Sequence, residues 1–429
     1  MLVYVINKNG QPLMPTERCG KVRKLLNANK AKVIKRCPFT IQLLYETTNE
    51  VQNITLGVDS GSKHIGLSAT TANKVLFEAE VELRTDIVEL IATKREARRT
   101  RRNHKTRYRK PRFMNRVSTK KKGWLAPSIK QKIETHINII DKIYQLLPIN
   151  NLIIEVASFD IQKIKNPDIA GTEYQQGEQL GFWNVREYVL FRDNHTCQYC
   201  KGKSKDKRLN VHHKESRKTG GNTPNNLITL CETCHNNYHK GKIKLPEKLL
   251  KRGTKFNDTT FMGIMRWELF NTLKVKYHDV KLTYGYITKN TRIINNLPKA
   301  HFIDARCISL NPTATPTDII YKYKKIRQHN RRLHKFVPNK KGIRQNNQAP
   351  FEVHNYRLFD VVSYNNQTCY ISGRRQSGYF TLKTLDFTTN SIITITNVSY
   401  KKLKPLYHST SFITLSQPTN IAQQSLINC

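Results

Sequence analysis

Between Cys197 and His239 the chain sets two Cys-x-x-Cys pairs, a His-His doublet, an Asn and a His-x-x-x-His into one short segment. It reads C197-QY-C200, then VHH with His212 and His213, then NNLITLC with Asn226 and Cys231, then C234-H235-NNY-H239. Four thiolates spaced as two knuckles suit a tetrahedral structural zinc, which takes soft charged ligands and leaves no open position. That assigns Cys197, Cys200, Cys231 and Cys234. The imidazoles left over can hold a second, harder divalent ion, with one free to act as a base. The spacing predicts a ββα frame, with strands on VHHK and NLITL and a helix on CHNNYH. His235 and His239, at i and i+4, then share a helix face and can ligate one cation, with His212 as the third ligand. His213 is expected to take a proton from water, aligned by Asn226 through its backbone or ring. On a regular strand His212 and His213 point to opposite faces, so a local bend is expected there. A purely structural zinc module would leave all of these histidines, and Asn226, unexplained.

The rest of the chain narrows the partner. It has 429 residues, more than one ordinary core holds, so several domains are expected. Lys and Arg outnumber Asp and Glu by 74 to 31, a formal net charge of +43 that would self-repel unless a polyanion neutralised it. Nucleic acid is the expected partner, bound with a strong salt dependence. No apolar run approaches the roughly 18–20 residues of a spanning helix, so no membrane partner is expected. The opening MLVYVINKNGQPLMP lacks a basic region ahead of an apolar stretch. The remaining five cysteines (Cys19, Cys37, Cys307, Cys369, Cys429) are scattered, which suits a reducing compartment. The expectation is therefore a cytoplasmic chain.

Residues 1–46 read as strand, helix and two strands, with Pro12-Leu13-Met14-Pro15 as a rigid turn. Residues 54–83 read as three strands, ITLGVDSG, HIGLSAT and KVLFEAEVEL. Residues 92–116 carry twelve Lys/Arg against a single Glu, all round a helix that Pro111 ends. Such a helix cannot bury a face in a protein core and suits nucleic-acid phosphates, which Arg forks bind bidentately. Residues 128–147 read as an amphipathic helix feeding the strand NLIIEVASFD, and VREYVLFRD as a helix before the Cys–His segment. Residues 261–276 read as a helix, VKLTYGYI as a strand and KAHFIDARCISL as a helix. From about 351 short alternating strands predict a small β-barrel or sandwich.

A second constellation is dispersed. Asp59 ends an apolar strand, Glu155 sits among Ile and Val, and His301 and Asp304 lie one turn apart on one helix face. Carboxylates in such settings suit two-metal phosphodiester hydrolysis, where they hold two Mg2+ about 3.5–4 Å apart. A neutral His301 could activate the water.

At these residues a resemblance becomes definite. LGVDSG, LIIEVASFD and HFIDARC resemble the three split motifs of a RuvC-like nuclease of ribonuclease H fold. REYVLFRDNHTCQYC through LCETCHNNYH resembles an HNH nuclease inserted between the second and third. The order, preceded by a PLMP module, resembles the IscB family of transposon-encoded RNA-guided endonucleases. TEYQQGEQLG and ITKNTRIINNLPKAHFIDA add to the likeness, which covers about residues 1–335.

The resemblance implies a multidomain α/β chain with a split RuvC core, an inserted ββα-metal HNH domain, a bridge helix and a C-terminal β-rich domain. Its bounds would be PLMP module 1–52, RuvC segment I 53–85, bridge helix 86–116 and RuvC segment II 117–175. HNH with its four-cysteine zinc would follow at 176–250, RuvC segment III at 251–318, a basic linker at 319–350 and the β-rich domain at 351–429. Asp59, Glu155, His301 and Asp304 would cut the displaced DNA strand, with two Mg2+ on Asp59, Glu155 and Asp304. His212, His213, Asn226, His235 and His239 would cut the strand paired to the guide, with one Mg2+ on His212, His235 and His239. Arg95, Arg98, Arg99, Arg101, Arg102, Lys105, Arg107 and Arg109, with Arg331 and Arg332, would grip nucleic acid. The implied partners are a guide (omega) RNA and a double-stranded DNA target, in a monomeric ribonucleoprotein of a bacterial cytoplasm. Base pairing would read sequence while the protein reads duplex shape and a short flanking motif. Ser60 follows the first Asp where the family commonly has Pro, a change that should cost little. Two readings stay open beside this one, an unguided HNH endonuclease and an RNA-binding accessory protein without nuclease activity.

Overall fold

The computed structural model describes residues 2–48, 50–103, 123–156, 184–216, 221–251, 257–327, 336–339, 342–345, 350–386 and 391–419. The chain divides into two compact units, residues 1–157 with 261–429, and residues 158–260. It is a mixed α/β protein.

The larger unit begins with β1 (Tyr4–Ile6), the helix Cys19–Asn27, β2 (Ala31–Lys35) and β3 (Thr40–Leu43), a three-stranded sheet in the order β1-β3-β2. Val22 of the helix packs on Val3, Val5, Ile41 and Leu43, so this module has a small core of its own. Next come β4 (Thr55–Ser60), β5 (His64–Thr70) and β6 (Val75–Glu82), consecutive antiparallel strands. After the basic helix Ile87–Asn103 and the helix Pro127–Tyr144, β7 (Asn151–Val156) pairs parallel to β4.

The smaller unit holds the helix Val185–Arg192, then β8 (Leu209–His213), β9 (Leu227–Cys231) and the helix Glu232–His239. This is the ββα frame that the Cys–His spacing predicts. Arg192 clamps its turn by donating to the carbonyls of Pro224 and Leu227, while Asp193 accepts from the Thr229 amide.

Back in the larger unit, β10 (Val280–Tyr284) adds parallel to β7, and β11 (Ile319–Lys325) adds parallel to β6. The strand Phe412–Pro418 closes a seven-stranded sheet in the order β10-β7-β4-β5-β6-β11 and then itself.

The alternation of these strands gives the sheet two unlike faces. Leu56 and Val58 of β4, Ile65 and Leu67 of β5, Phe77 and Ala79 of β6, and Leu152 and Ile154 of β7 turn to one core. Ile139 and Ile143 of the amphipathic helix and Met265, Leu269 and Leu273 of the helix Asn257–Lys276 complete it. The intervening residues face the other way, toward the helix His301–Ile308, and among them are Gly57, Asp59, Gly66, Glu78 and Glu155. A Cβ on Gly57 would lie 2.1 Å from the Ala305 carbonyl oxygen, and one on Gly66 1.8 Å from that of His301. The two glycines let this helix lie directly on the backbone of β4 and β5.

Three expectations change. VKLTYGYI is a strand only to Tyr284; Gly285 starts a helix, Gly285–Ile294, and a Cβ there would be 3.2 Å from Glu155 Oε1. The segment expected as a basic linker from residue 319 opens as β11 of the central sheet. Its Lys322 and Lys324 pair with Glu80 and Glu82 directly opposite on β6, while Ile320, Tyr321 and Tyr323 are buried. The C-terminal strands form a five-stranded antiparallel sheet with two ends, running Ser391–Ser399, Tyr379–Asp386, Gln367–Arg374, Val361–Tyr364 and Lys404–Tyr407. Among the described residues it does not close into a barrel, and the strand Phe412–Pro418 pairs antiparallel with β11 instead. Among the described residues no helix is long and apolar enough to cross a membrane.

Candidate active site

The four cysteines meet in the smaller unit. Their Sγ atoms all lie within 4.8 Å of one another, and Cys200 and Cys231 are 3.8 Å apart. A tetrahedral zinc with Zn–S bonds of about 2.3 Å places its sulfurs about 3.8 Å apart, so the thiols fit that ion. Ser204 adds a hydroxyl that donates to the Cys231 sulfur. Burial pushes the Cys200 thiol up, but hydrogen bonds from Ser204, Cys197 and Gly202 together bring it down to about 6.

His212, His235 and His239 form a second group whose nitrogens lie within 4.8 Å of one another, with 3.3 Å between the Nε2 atoms of His235 and His239. His212 comes from β8 and the other two from successive turns of Glu232–His239. Burial, and then the neighbouring imidazoles, push His212 down to about 4; burial and His239 lower His235. Both are therefore neutral near pH 7, the state in which imidazole ligates. The donor set of three imidazoles and no carboxylate suits a borderline ion such as zinc, nickel or copper better than magnesium. The expected Mg2+ at these residues fits poorly for that reason.

His213 stands beside this group and not in it. The β8–β9 register is regular, so the expected bend is not found, and the doublet splits its two side chains between ligation and a separate role. The His213 ring meets Asn222, with Nε2 3.0 Å from Oδ1. An amide oxygen only accepts, so Nε2–H is the donor in this contact and Nδ1 is the ring nitrogen left to accept. Asn226, expected to align His213, does something else. Fully buried, it accepts from the Glu215 amide and donates to the carbonyls of Glu215 and Gly221, which ties down the loop after β8. Asn222 carried no spacing signal, because it works through a single side-chain contact from within a turn.

The dispersed residues also come together. His301 Nδ1 lies 2.7 Å from Asp59 Oδ2, a contact that joins the start of the site helix to the end of β4. That hydrogen bond raises the His301 pKa against the effect of burial. Burial and the charge of Asp59 push the Asp304 carboxyl up to about 6, and raise Glu155 as well. The three carboxylates are close enough to repel, yet each is engaged. Arg266 reaches Glu155 at 3.2 Å and donates to the Ser60 carbonyl at 2.8 Å, while Arg292 lies 3.0 Å from Asp304. Their oxygen donors suit a hard cation such as Mg2+.

Sequence reading missed the supports of this site. Arg266 was visible only as one cation inside the apolar run FMGIMRWELF. Arg306 and Glu78 make a buried two-pronged pair, at 2.7 and 2.9 Å, that fastens the site helix to β6. His64 stacks on His301 with centroids 5.5 Å apart and reaches Glu80 at 3.1 Å. His136 is fully buried in the helix Pro127–Tyr144 and falls to about 4, chiefly through burial.

Arg95, Arg98 and Arg99 are exposed on the helix Ile87–Asn103. The side chains of Arg101 and Arg102 lie outside the described residues, as do Lys105, Arg107, Arg109, Arg331 and Arg332 and the TEYQQGEQLG motif.

Residues 3–177 match the family described as RRXRR protein, and Arg98-Arg99-Thr100-Arg101-Arg102 spells that pattern. Residues 197–241 match HNH endonuclease. No curated protein matches the chain. Solved structures with some likeness include Streptococcus thermophilus Cas9 in complex with AGGA PAM, 12% identical over 43% of this chain and 26% of that one, at a TM-score of 0.29. Cas9 of the same organism in complex with the GGAA PAM is 11% identical over 62% of this chain and 33% of that one, at 0.32. The chain spans a third or less of those proteins, a likeness too loose to carry an argument. The chain thus carries a region of the RRXRR family followed by an HNH endonuclease domain.

Proposed function

We propose that the chain is an RNA-guided endonuclease that cuts both strands of a DNA duplex, each at its own centre. The reading rests first on the meeting of Asp59, Glu155, His301 and Asp304, which come from three separate stretches of sequence, at one end of a mixed sheet. Antiparallel β4, β5 and β6 flanked by parallel β7 and β10 suit a ribonuclease H-like, RuvC-type core. The exposed arginines of Ile87–Asn103 and the charge of +43 suit a protein that holds RNA as well as DNA.

In the HNH centre, His212, His235 and His239 would hold a divalent ion, which would stabilise the leaving oxygen. His213 accepts the proton of the attacking water at Nδ1, because Asn222 keeps Nε2 protonated. In the RuvC-type centre, Asp59, Glu155 and Asp304 would hold Mg2+. In the neutral ring the Asp59 hydrogen bond would hold the His301 proton on Nδ1, which leaves Nε2 to take the proton of an attacking water. A zinc held by Cys197, Cys200, Cys231 and Cys234 would do no chemistry; it would tie the Cys197–Cys200 turn to the end of β9 and the start of the Glu232–His239 helix.

The test is strand-specific nicking of a guide-matched duplex by the protein purified with its RNA. His213→Ala should spare the displaced strand and Asp59→Ala the paired one. If either variant binds normally and loses both cuts, the two-centre assignment fails. If no discrete RNA copurifies and cutting proceeds without one, the unguided reading replaces it.

A further inference from the structure

The strand register beneath the second centre sets one row of residues across four strands. Asp59 of β4 lies opposite Gly66 of β5, Gly66 opposite Glu80 of β6, and Glu80 opposite Lys322 of β11. Gly66 is the gap in that row, and His301 sits over it: a Cβ on Gly66 would lie 1.8 Å from the His301 carbonyl oxygen. His301 is thereby flanked by two carboxylates. Asp59 reaches its ring directly, with 2.7 Å between Oδ2 and Nδ1. Glu80 reaches it through His64, which stands two residues before Gly66 on the same face of β5. His64 Nδ1 lies 3.1 Å from Glu80 Oε1, and the His64 ring stacks on that of His301, with 5.5 Å between centroids and 12° between planes.

His301 needs a second support. It is the first residue of the site helix, so no preceding helical turn restricts its side chain. That side chain is 41% exposed, so the core does not pack it in place. The bond to Asp59 holds one nitrogen, and the outer torsion of histidine is broad, so that bond alone lets the ring rock. A ring stacked on its face restrains the plane as well. His64 can do this because it is held in turn. Lys322 takes Glu80 Oε2 at 2.5 Å, which leaves Oε1 to His64. Burial raises the Glu80 pKa, but the contacts with His64 and Lys322 outweigh it and bring it to about 2, so the anchor stays charged throughout the neutral range.

We propose that His64 is a positioning residue for displaced-strand cutting: held by Glu80, its ring fixes the plane of the His301 ring and so aims His301 Nε2 at the attacking water. The proposal rests on the reading of His301 as the base of that centre.

The experiment is strand-specific nicking by the whole chain with its RNA, comparing His64→Ala, His64→Phe and His64→Leu. His64→Ala should lower the displaced-strand rate at saturating target by about 2- to 10-fold, the population that a stacked ring pair holds. The target concentration at half-saturation and the paired-strand cut should not move. His64→Phe, which keeps a flat ring, should return to within about twofold of wild type, whereas His64→Leu, similar in bulk but without a flat face, should not. A merely structural role would let Leu restore the rate as well as Phe. The Phe–Leu comparison decides even where the Ala variant fails to fold. Wild-type rates in His64→Ala overturn the proposal, as does equal rescue by Phe and Leu. His64→Phe no faster than His64→Ala overturns it too, since the ring nitrogens and not the stack would then matter. If wild type makes no displaced-strand nick that Asp59→Ala removes, the reading of the centre itself fails, and the proposal with it.

Discussion

Gly66→Ala should disable one centre without touching the other. The added Cβ would stand 1.8 Å from the His301 carbonyl oxygen and 3.1 Å from its Cα, and ordinary contact begins at 3.4 Å. Both atoms are backbone, so no side chain can swing aside. The site helix must retreat by about 1.5 Å, or β5 must buckle. That helix cannot pivot freely, because Arg306 is fastened to Glu78. The His301–Asp59 contact, 2.7 Å in the intact protein, would open to roughly 4 Å and cease to be a hydrogen bond. Overpacking should cost about 1–3 kcal/mol of stability. A displacement of about 1 Å is enough to slow a reaction about 100-fold, so displaced-strand nicking should fall by at least that factor. The paired-strand cut, which the proposed function assigns to the inserted unit, should stay within about twofold. Gly20→Ala is the control: nothing lies within 4 Å of its Cβ position in the helix Cys19–Asn27, so it should be neutral or stabilise by up to about 1 kcal/mol. Denaturant midpoints and strand-specific nicking read both effects. Wild-type stability and nicking in Gly66→Ala would refute the rigid seating of the helix.

Three further outcomes follow from the same structure. Arg306→Met alone strands a buried Glu78 and should cost about 3–5 kcal/mol, whereas Arg306→Met with Glu78→Met should return to within about 1 kcal/mol of wild type or exceed it, read by urea denaturation. His136 is neutral when folded and titrates near 4, against an ordinary value near 6.5. Between those values the unfolded chain binds a proton that the folded chain refuses, so stability falls as pH falls, by about 1.4 kcal/mol per unit. Wild type should therefore lose about 2 kcal/mol more than His136→Gln between pH 6.5 and 5, and equal losses would show that His136 is not the group concerned. Removing zinc with a chelator, or by Cys231→Ser, should expose residues 184–251 to limited proteolysis while the seven-stranded sheet stays resistant; simultaneous loss of both units would show that they do not fold separately.

Legibility in the sequence followed how each residue acts. The clusters that could hold a metal were readable because ligation imposes spacing: Cys-x-x-Cys, and His235 with His239 one turn apart, predict their own geometry. The carboxylates were readable because an acid at the end of an apolar strand is out of place. Residues that act at a distance were not. Arg266 meets Glu155, and Arg306 meets Glu78, across more than a hundred residues each, and no local pattern records such a pairing. Asn226 shows the converse error. Its position beside the histidines suggested alignment of His213, but a fully buried amide has four bonding sites to satisfy, and the loop backbone satisfies them better than an exposed ring. The strand β11 was misread because IIYKYKK looks basic; its lysines are one edge of a charge ladder with β6, and its tyrosines are core.

The ion pairs of the second centre also explain how the chain tolerates a whole nuclease unit inserted in its middle. Asp59 and Glu155 precede the insertion, at the ends of neighbouring parallel strands, where two carboxylates would repel in a partly dry setting. Arg266, Arg292, His301 and Asp304 all follow it. Arg266 and His301 bring positive charge or a donor across the insertion to Glu155 and Asp59, while Arg292 pairs with Asp304 within the later half. Folding of the sheet alone would leave Asp59 and Glu155 uncompensated, and docking of the later helices removes that penalty. The cost of closing a long loop rises only slowly with its length, by about 0.6 kcal/mol per doubling. A few buried, charge-assisted contacts, at about 1.5–3 kcal/mol each, exceed that increment. The insertion point can therefore carry a compact unit of its own without loosening the site that its two flanks assemble.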